Sequence, residues 1–109
     1  MELAFSSVQL RIICENESHA KKELGSEVAL VLKRRLADLA AAKSIQDLVV
    51  GDLRYLDGLN KNQMTIDLCD GHRLVFSANH PTNLATSTHE LNWQKVSRLK
   101  LLRIENEHS

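Results

Sequence analysis

A chain of 109 residues, 43% hydrophobic and 26% charged, has the balance of one globular domain that needs no disulfide or metal staple to bury a core. Fourteen basic and fourteen acidic side chains leave a formal charge of zero. The net basic footprint of a dedicated nucleic-acid binder is therefore absent, and any RNA contact has to come from a local patch. No apolar run approaches the ~18 residues of a membrane span, and no charged-then-apolar leader opens the chain. Cys14 and Cys69 form no Cys-x-x-Cys, which fits free thiols in a reducing cytoplasm.

Leu3-Ala4-Phe5 reads as a short strand, and Ser6 is placed to cap a helical turn containing Val8, Leu10, Ile12 and Ile13. Cys14 falls on the apolar side of that turn. Ser18 to Leu24 is helix-competent, Gly25 stands where a C-cap wants glycine, and Ser26 is placed to cap the next helix. From Glu27 to Ala42 the pattern is strongly helical. Leu24, Val28, Leu32, Leu36 and Leu39 recur at intervals of three and four, with Lys33, Arg34 and Asp38 off the stripe. Such a stripe is a core face. Ser44-Ile45-Gln46-Asp47 resembles a capping box with Asp in place of Glu and opens one turn to Val49. Gly51-Asp52 then turns the chain into a strand from Leu53 to Leu56.

The most informative stretch follows. Gln63 to Cys69 alternates polar and apolar side chains, Asp70-Gly71-His72 interrupts, and Arg73-Leu74-Val75-Phe76 resumes the alternation, which is a β-hairpin. A two-residue Asp-Gly loop would set Leu74 opposite Asp67 and Phe76 opposite Thr65, mixing the faces. A three-residue loop pairs Leu68 with Leu74 and Ile66 with Phe76, and gives one clean apolar side. The opposite face then holds Thr65, Asp67, Cys69, Arg73, Val75 and Ser77. Arg73 on that rigid polar face is a candidate phosphate ligand. The plainer reading is a surface ion pair with Asp67, and the hairpin alone leaves both open.

Ala78 to Asn92 reads as a long polar loop around Pro81, and Val96 to Ile104 as an apolar-rich strand whose alternation slips at Leu101-Leu102, the mark of a bulge or of burial on both faces. One strand, then helices, then four strands gives an α+β class, with helices packed on one face of a small, mostly antiparallel sheet. The histidines His19, His72, His80, His89 and His108 have no metal-ligand spacing, so neither a metal nor a cofactor is expected. There is no glycine-rich phosphate loop, nucleophile elbow or dinucleotide fingerprint.

Taken together, the segments resemble the RelE/ParE superfamily of small bacterial toxins, and within it the HigB-like, plasmid maintenance system killer branch. The resemblance is carried by Phe5-Ser6-Ser7 with Leu10, by Lys33 to Leu39 with Ala41-Ala42, and by Ser44-Ile45-Gln46-Asp47-Leu48. It continues through Leu56-x-Gly58, Lys61-x-Gln63, Ile66-Asp67-Leu68 and Arg73-Leu74-Val75-Phe76. Leu91-Asn92-Trp93-x-Lys95-Val96, Leu102-x-Ile104 and His108 complete it, so it spans nearly the whole chain.

The resemblance implies the toxin of a toxin–antitoxin pair, cytoplasmic and masked by a helix-turn-helix (HigA-like) antitoxin. Its implied activity is ribosome-dependent, metal-independent cleavage of mRNA, in which the RNA's own 2′-OH is the nucleophile. The protein then has to help remove a proton, hold phosphate charge and protonate the leaving oxygen. By the same resemblance Arg73 is the phosphate-binding arginine, His108 a general acid or base, and Glu107 a possible base. Arg54 and Lys61 are implied RNA contacts. Arg54 stands where many HigB-like members have histidine, which keeps the charge and loses the proton shuttle. Asn106-Glu107 stand where Asp-Tyr is common, and Asp57 replaces a frequent lysine. These departures leave two alternatives: a non-enzymatic toxin-fold module that binds its antitoxin and co-represses the operon, or a ParE-like gyrase inhibitor.

Overall fold

A computed structural model describes residues 1–48, 53–55, 63–79 and 93–106 of the chain. It begins with β1, Glu2–Phe5, followed by helices α1, Val8–Glu15, α2, Glu17–Leu24, and α3, Ser26–Ala41. Strands β2, Arg54–Tyr55, β3, Gln63–Asp67, β4, His72–Ala78, and β5, Arg98–Asn106, complete the regular structure, with 3-10 turns at Ile45–Asp47 and Trp93–Lys95.

The helix starts differ from the capping expectations by one or two residues. The hydroxyl that accepts from the Leu10 N–H belongs to Ser7, whereas Ser6 Oγ donates to the carbonyl of Leu102 at 2.7 Å and ties the strand exit to β5. Asn16 caps α2 through Oδ1, accepting from the His19 N–H at 3.0 Å. Gly25 (φ 88°) closes α2 and opens α3 at once, so Ser26 is already helical and α3 has no side-chain cap. Ser44 does cap its turn, accepting from Gln46 N–H, and Asp47 reaches back to the Lys43 N–H at 3.0 Å. The terminal ammonium of Met1 lies on the carbonyls of Leu39, Ala40 and Ala42 and satisfies acceptors that the end of α3 leaves open.

The five strands form one sheet in the order β1-β5-β4-β3-β2; β1 runs parallel to β5 and every other pair is antiparallel. This is the expected α+β architecture. Of the Leu53–Leu56 expectation, Arg54–Tyr55 is strand and Leu53 precedes it, while Leu56 lies outside the described residues. Beyond Ala78 and Asn79, the expected polar loop, Pro81 included, also lies outside them.

The inner face of the sheet carries Leu3, Phe5, Met64, Ile66, Leu74, Phe76, Leu99 and Leu101, and the core is built between it and the helices. From α3 come Val28, Leu32 and Leu39, with Leu36 and, from the end of α2, Leu24 at the margin, so the stripe read from sequence is the packing face. Phe76 meets Trp93 edge to face, ring centroids 6.2 Å apart. No described helix is long and apolar enough to cross a membrane.

The hairpin register differs from the expectation by two residues. Ile66 pairs with Leu74 and Met64 with Phe76, rather than Leu68 with Leu74 and Ile66 with Phe76. Asp70 (φ 54°) and Gly71 (φ 77°) both adopt positive φ, as a tight primed turn demands. The His72 N–H donates to the Cys69 carbonyl, while the Leu68 N–H donates to the His72 carbonyl. Two residues, Leu68 and Cys69, thus oppose one. The chain takes the Asp-Gly turn and adds a bulged residue that restores the facing of apolar side chains. A shift of two leaves every paired side chain on the expected face, whereas Cys69, in the bulge and expected on the polar side, packs against the core.

Candidate functional site

The outer face of the sheet, away from the helices, collects the charged side chains of β2 to β5. Strand pairing arranges them in neighbouring rows. One row runs Arg54, Thr65, Val75, Arg103; the next runs Asp67, Arg73, Glu105. Ser77 and Lys100 pair in a third. The centre is not the open polar surface expected: Thr65 is 1% exposed and Val75 0%, flanked along their row by the long arginines 54 and 103.

Arg103 and Glu105 reach this face through a second irregularity. The ladder between β4 and β5 slips between Val75 and Phe76, so that Val75 pairs with Arg103 while Phe76 pairs with Leu101, leaving Leu102 as the extra residue. Were β5 regular through Leu102, with no bulge, Leu102 and Ile104 would point to the outer face, and Arg103 and Glu105 into the core. The Leu101-Leu102 slip read from sequence is this bulge. It turns a strand with broken alternation into one with a consistent inner and outer face.

Five charges then pair in two groups. Arg73 grips Glu105 Oε1 through Nε at 2.9 Å and a terminal nitrogen at 2.8 Å. Arg103 Nε donates to the other oxygen, Oε2, at 3.0 Å. Asp67 pairs with Arg54 at 3.2 Å. The plain reading of Arg73 as a partner of Asp67 is therefore corrected: the carboxylate it holds comes from β5, directly across the ladder. The hydrogen bond from Arg103, together with that from Arg73 and the positive charge of both, holds the Glu105 carboxyl below its ordinary range despite some desolvation. Both Arg73 and Glu105 side chains keep about 30% of their surface in water (29% and 30%), so this pair is worth only about 0–1 kcal/mol to stability.

Of the residues singled out from sequence, the fold brings Arg54 and Arg73 to one face on neighbouring rows. Lys61, Glu107 and His108 lie outside the described residues. Asn106 ends β5, with Nδ2 3.3 Å from His72 Nε2. Arg103 and Glu105 were not legible as site residues, because their facing depends on the bulge. The signal was the doubled leucine immediately before Arg103.

Neither cysteine makes a disulfide, and both are half-buried. Cys14 lines a cleft of about 200 Å³ between α1, α2 and α3, beside Ile13, Ala20, Ala29 and Leu32. Burial, helped by the neighbouring Glu15 charge, pushes its thiol up to about 11, the opposite of what a nucleophile needs. The outer sheet face is the better candidate site: it concentrates forked cations on rigid elements. Comparison with protein-family models, with curated proteins and with solved structures finds no match.

Proposed function

We propose that this chain is a HigB-like toxin of the RelE/ParE kind, which stops translation by cutting mRNA on the ribosome. The observation that carries the reading is the Arg73 fork on the outer sheet face, gripping an oxyanion through two nitrogens at 2.9 and 2.8 Å. A guanidinium that fits a carboxylate in this way fits the two non-bridging oxygens of a phosphodiester equally well. In this reading Arg73 holds the scissile phosphate and stabilises charge that builds on it as the 2′-oxygen attacks. Arg54 and Lys61 hold neighbouring backbone phosphates, and His108 and Glu107 handle protons. No metal enters the scheme. Supporting it are the whole-chain resemblance and an α+β fold in which, among the described residues, the helices cover one sheet face and leave the other.

Masking belongs to the same reading. The antitoxin, a helix-turn-helix protein, covers α3 and the sheet edges. Strand β1 is one such edge, and a groove of about 520 Å³ runs beside it between Leu3, Phe5 and Val8. Unpaired strand edges accept a segment of a second chain.

One observation favours a second reading. Glu105 already occupies the Arg73 fork, and the formal net charge is zero. A non-enzymatic module that binds its antitoxin and co-represses an operon would tolerate both. Induced expression of wild type beside Arg73→Ala, with RNA ends mapped, separates them. Arrest with in-frame mRNA cuts, relieved by the substitution, is expected; normal growth with confirmed soluble protein would favour the module. Arrest without cuts would point to gyrase.

A further inference from the structure

We infer that Arg73 and Arg103 together form a clamp for one phosphate of single-stranded RNA, and that Glu105 is its built-in competitor, displaced when the RNA binds. The inference rests on the mRNA reading for its ligand and goes beyond it in adding Arg103 and a gate.

Three features of the face carry it. The two guanidinia converge on opposite oxygens of a single carboxylate, Arg73 on Oε1 and Arg103 on Oε2. That is the arrangement two forks would take around the two free oxygens of a phosphodiester. Each guanidinium has five N–H donors, so one carboxylate uses a minority of what the pair offers. The clamp is also rigid and open. Its members sit on the paired strands β4 and β5, held by the ladder and the Leu102 bulge. The Arg103 side chain is 47% exposed, and Arg73 and Glu105 are accessible from solvent. An ion pair so exposed is weak, and a ligand with more acceptors can replace it. When Glu105 swings out, its negative charge stays near the site and opposes the incoming phosphate. The gate therefore lowers affinity for free RNA. Binding then favours RNA presented with additional contacts, as on a ribosome.

The surrounding charges agree. Asp67, the other carboxylate close by in these rows, is engaged by Arg54. Lys100 stands on the same face, paired with Ser77 next to the clamp's row. Glu2, engaged by Arg98 at the sheet margin, supplies a control of equal charge outside the clamp.

The test is binding of a short, fluorescent, single-stranded 2′-deoxy oligonucleotide, which cannot be cleaved, to the full chain at low salt. Glu105→Gln is expected to bind about three- to fivefold tighter than wild type, the range a weak exposed ion pair allows. Glu2→Gln, with the same gain in net charge, should change affinity less than twofold. Arg103→Gln should weaken binding in the wild-type background and abolish the gain in the Glu105→Gln background. Unchanged affinity for Glu105→Gln would overturn the proposal. So would an equal gain for Glu2→Gln, or a gain that survives loss of Arg103. Because the readout needs neither ribosome nor cleavage, a positive result stands even if no mRNA is cut. A negative one leaves the mRNA reading to its own assay.

Discussion

At the scale of single residues, Glu105 ties the site to measurable behaviour. Its carboxyl ionises more readily in the folded chain, chiefly because Arg103 and then Arg73 donate to it. A carboxyl with a depressed folded pKa adds stability above its unfolded value, near 4.5, and loses it as pH falls through the folded value. Urea midpoints of wild type and Glu105→Gln should therefore converge as pH drops below 4.5, with wild type the more stable above it. A constant gap across that window would mean that the clamp does not hold the carboxylate in solution. Cys14 gives a second prediction. A rise from 9.0 to about 11 cuts the thiolate fraction at neutral pH about a hundredfold. Alkylation at pH 8 should label it far more slowly than an unfolded control, read by mass spectrometry of the modified peptide. These residue-level properties were largely invisible in the sequence. Arg73 was recognisable from its place in the hairpin, but its partner was not, because Glu105 sits 32 positions away and is brought opposite by the ladder.

At the scale of elements, most of the chain was legible because its apolar periodicities are strong. The stripe Val28-Leu32-Leu36-Leu39 located α3 to within a residue, and the hairpin alternation assigned the inner and outer faces of the paired residues correctly. What failed was local and has a physical cause. The cap of α1 falls on Ser7 and not on Ser6, because adjacent side chains can each accept from a helix start and only the entering backbone chooses between them. The hairpin register was misplaced by two residues because a bulge at Cys69 makes the two-residue Asp-Gly turn compatible with matched faces. The Leu102 bulge is the element on which the site depends. Deleting Leu102 removes only the extra residue, so Leu101, Arg103, Ile104 and Glu105 alternate in a regular strand with their facing kept, and the chain should still fold at a cost of about 1–2 kcal/mol. Substituting Leu102→Ala keeps the extra residue and should preserve the facing, at a cost of about 1–2 kcal/mol for a half-buried side chain. Chemical denaturation of the two variants checks this. A deletion that abolishes folding would show that Leu102 is not the spare residue of this ladder.

For the whole molecule, the arrangement divides the sheet's labour. One face packs Leu32, Leu39, Phe76 and Leu99 into a core with the helices, while the other displays Arg54, Arg73, Lys100 and Arg103 on strands that the core holds still. Zero net charge is compatible with a local cationic face, on which Arg54, Arg73, Lys100 and Arg103 outnumber the paired Asp67 and Glu105. Such a protein would not seek RNA by long-range attraction; it would act where RNA is already positioned. The most direct measurement is to add the purified chain, beside Arg73→Ala, to translating ribosomes and map mRNA ends at codon resolution. The expected result is cuts in frame with translation that the substitution reduces at least a hundredfold, as loss of a charge-stabilising donor would. No cleavage by the wild type at any concentration, or equal cleavage by both proteins, would contradict the role assigned to this face.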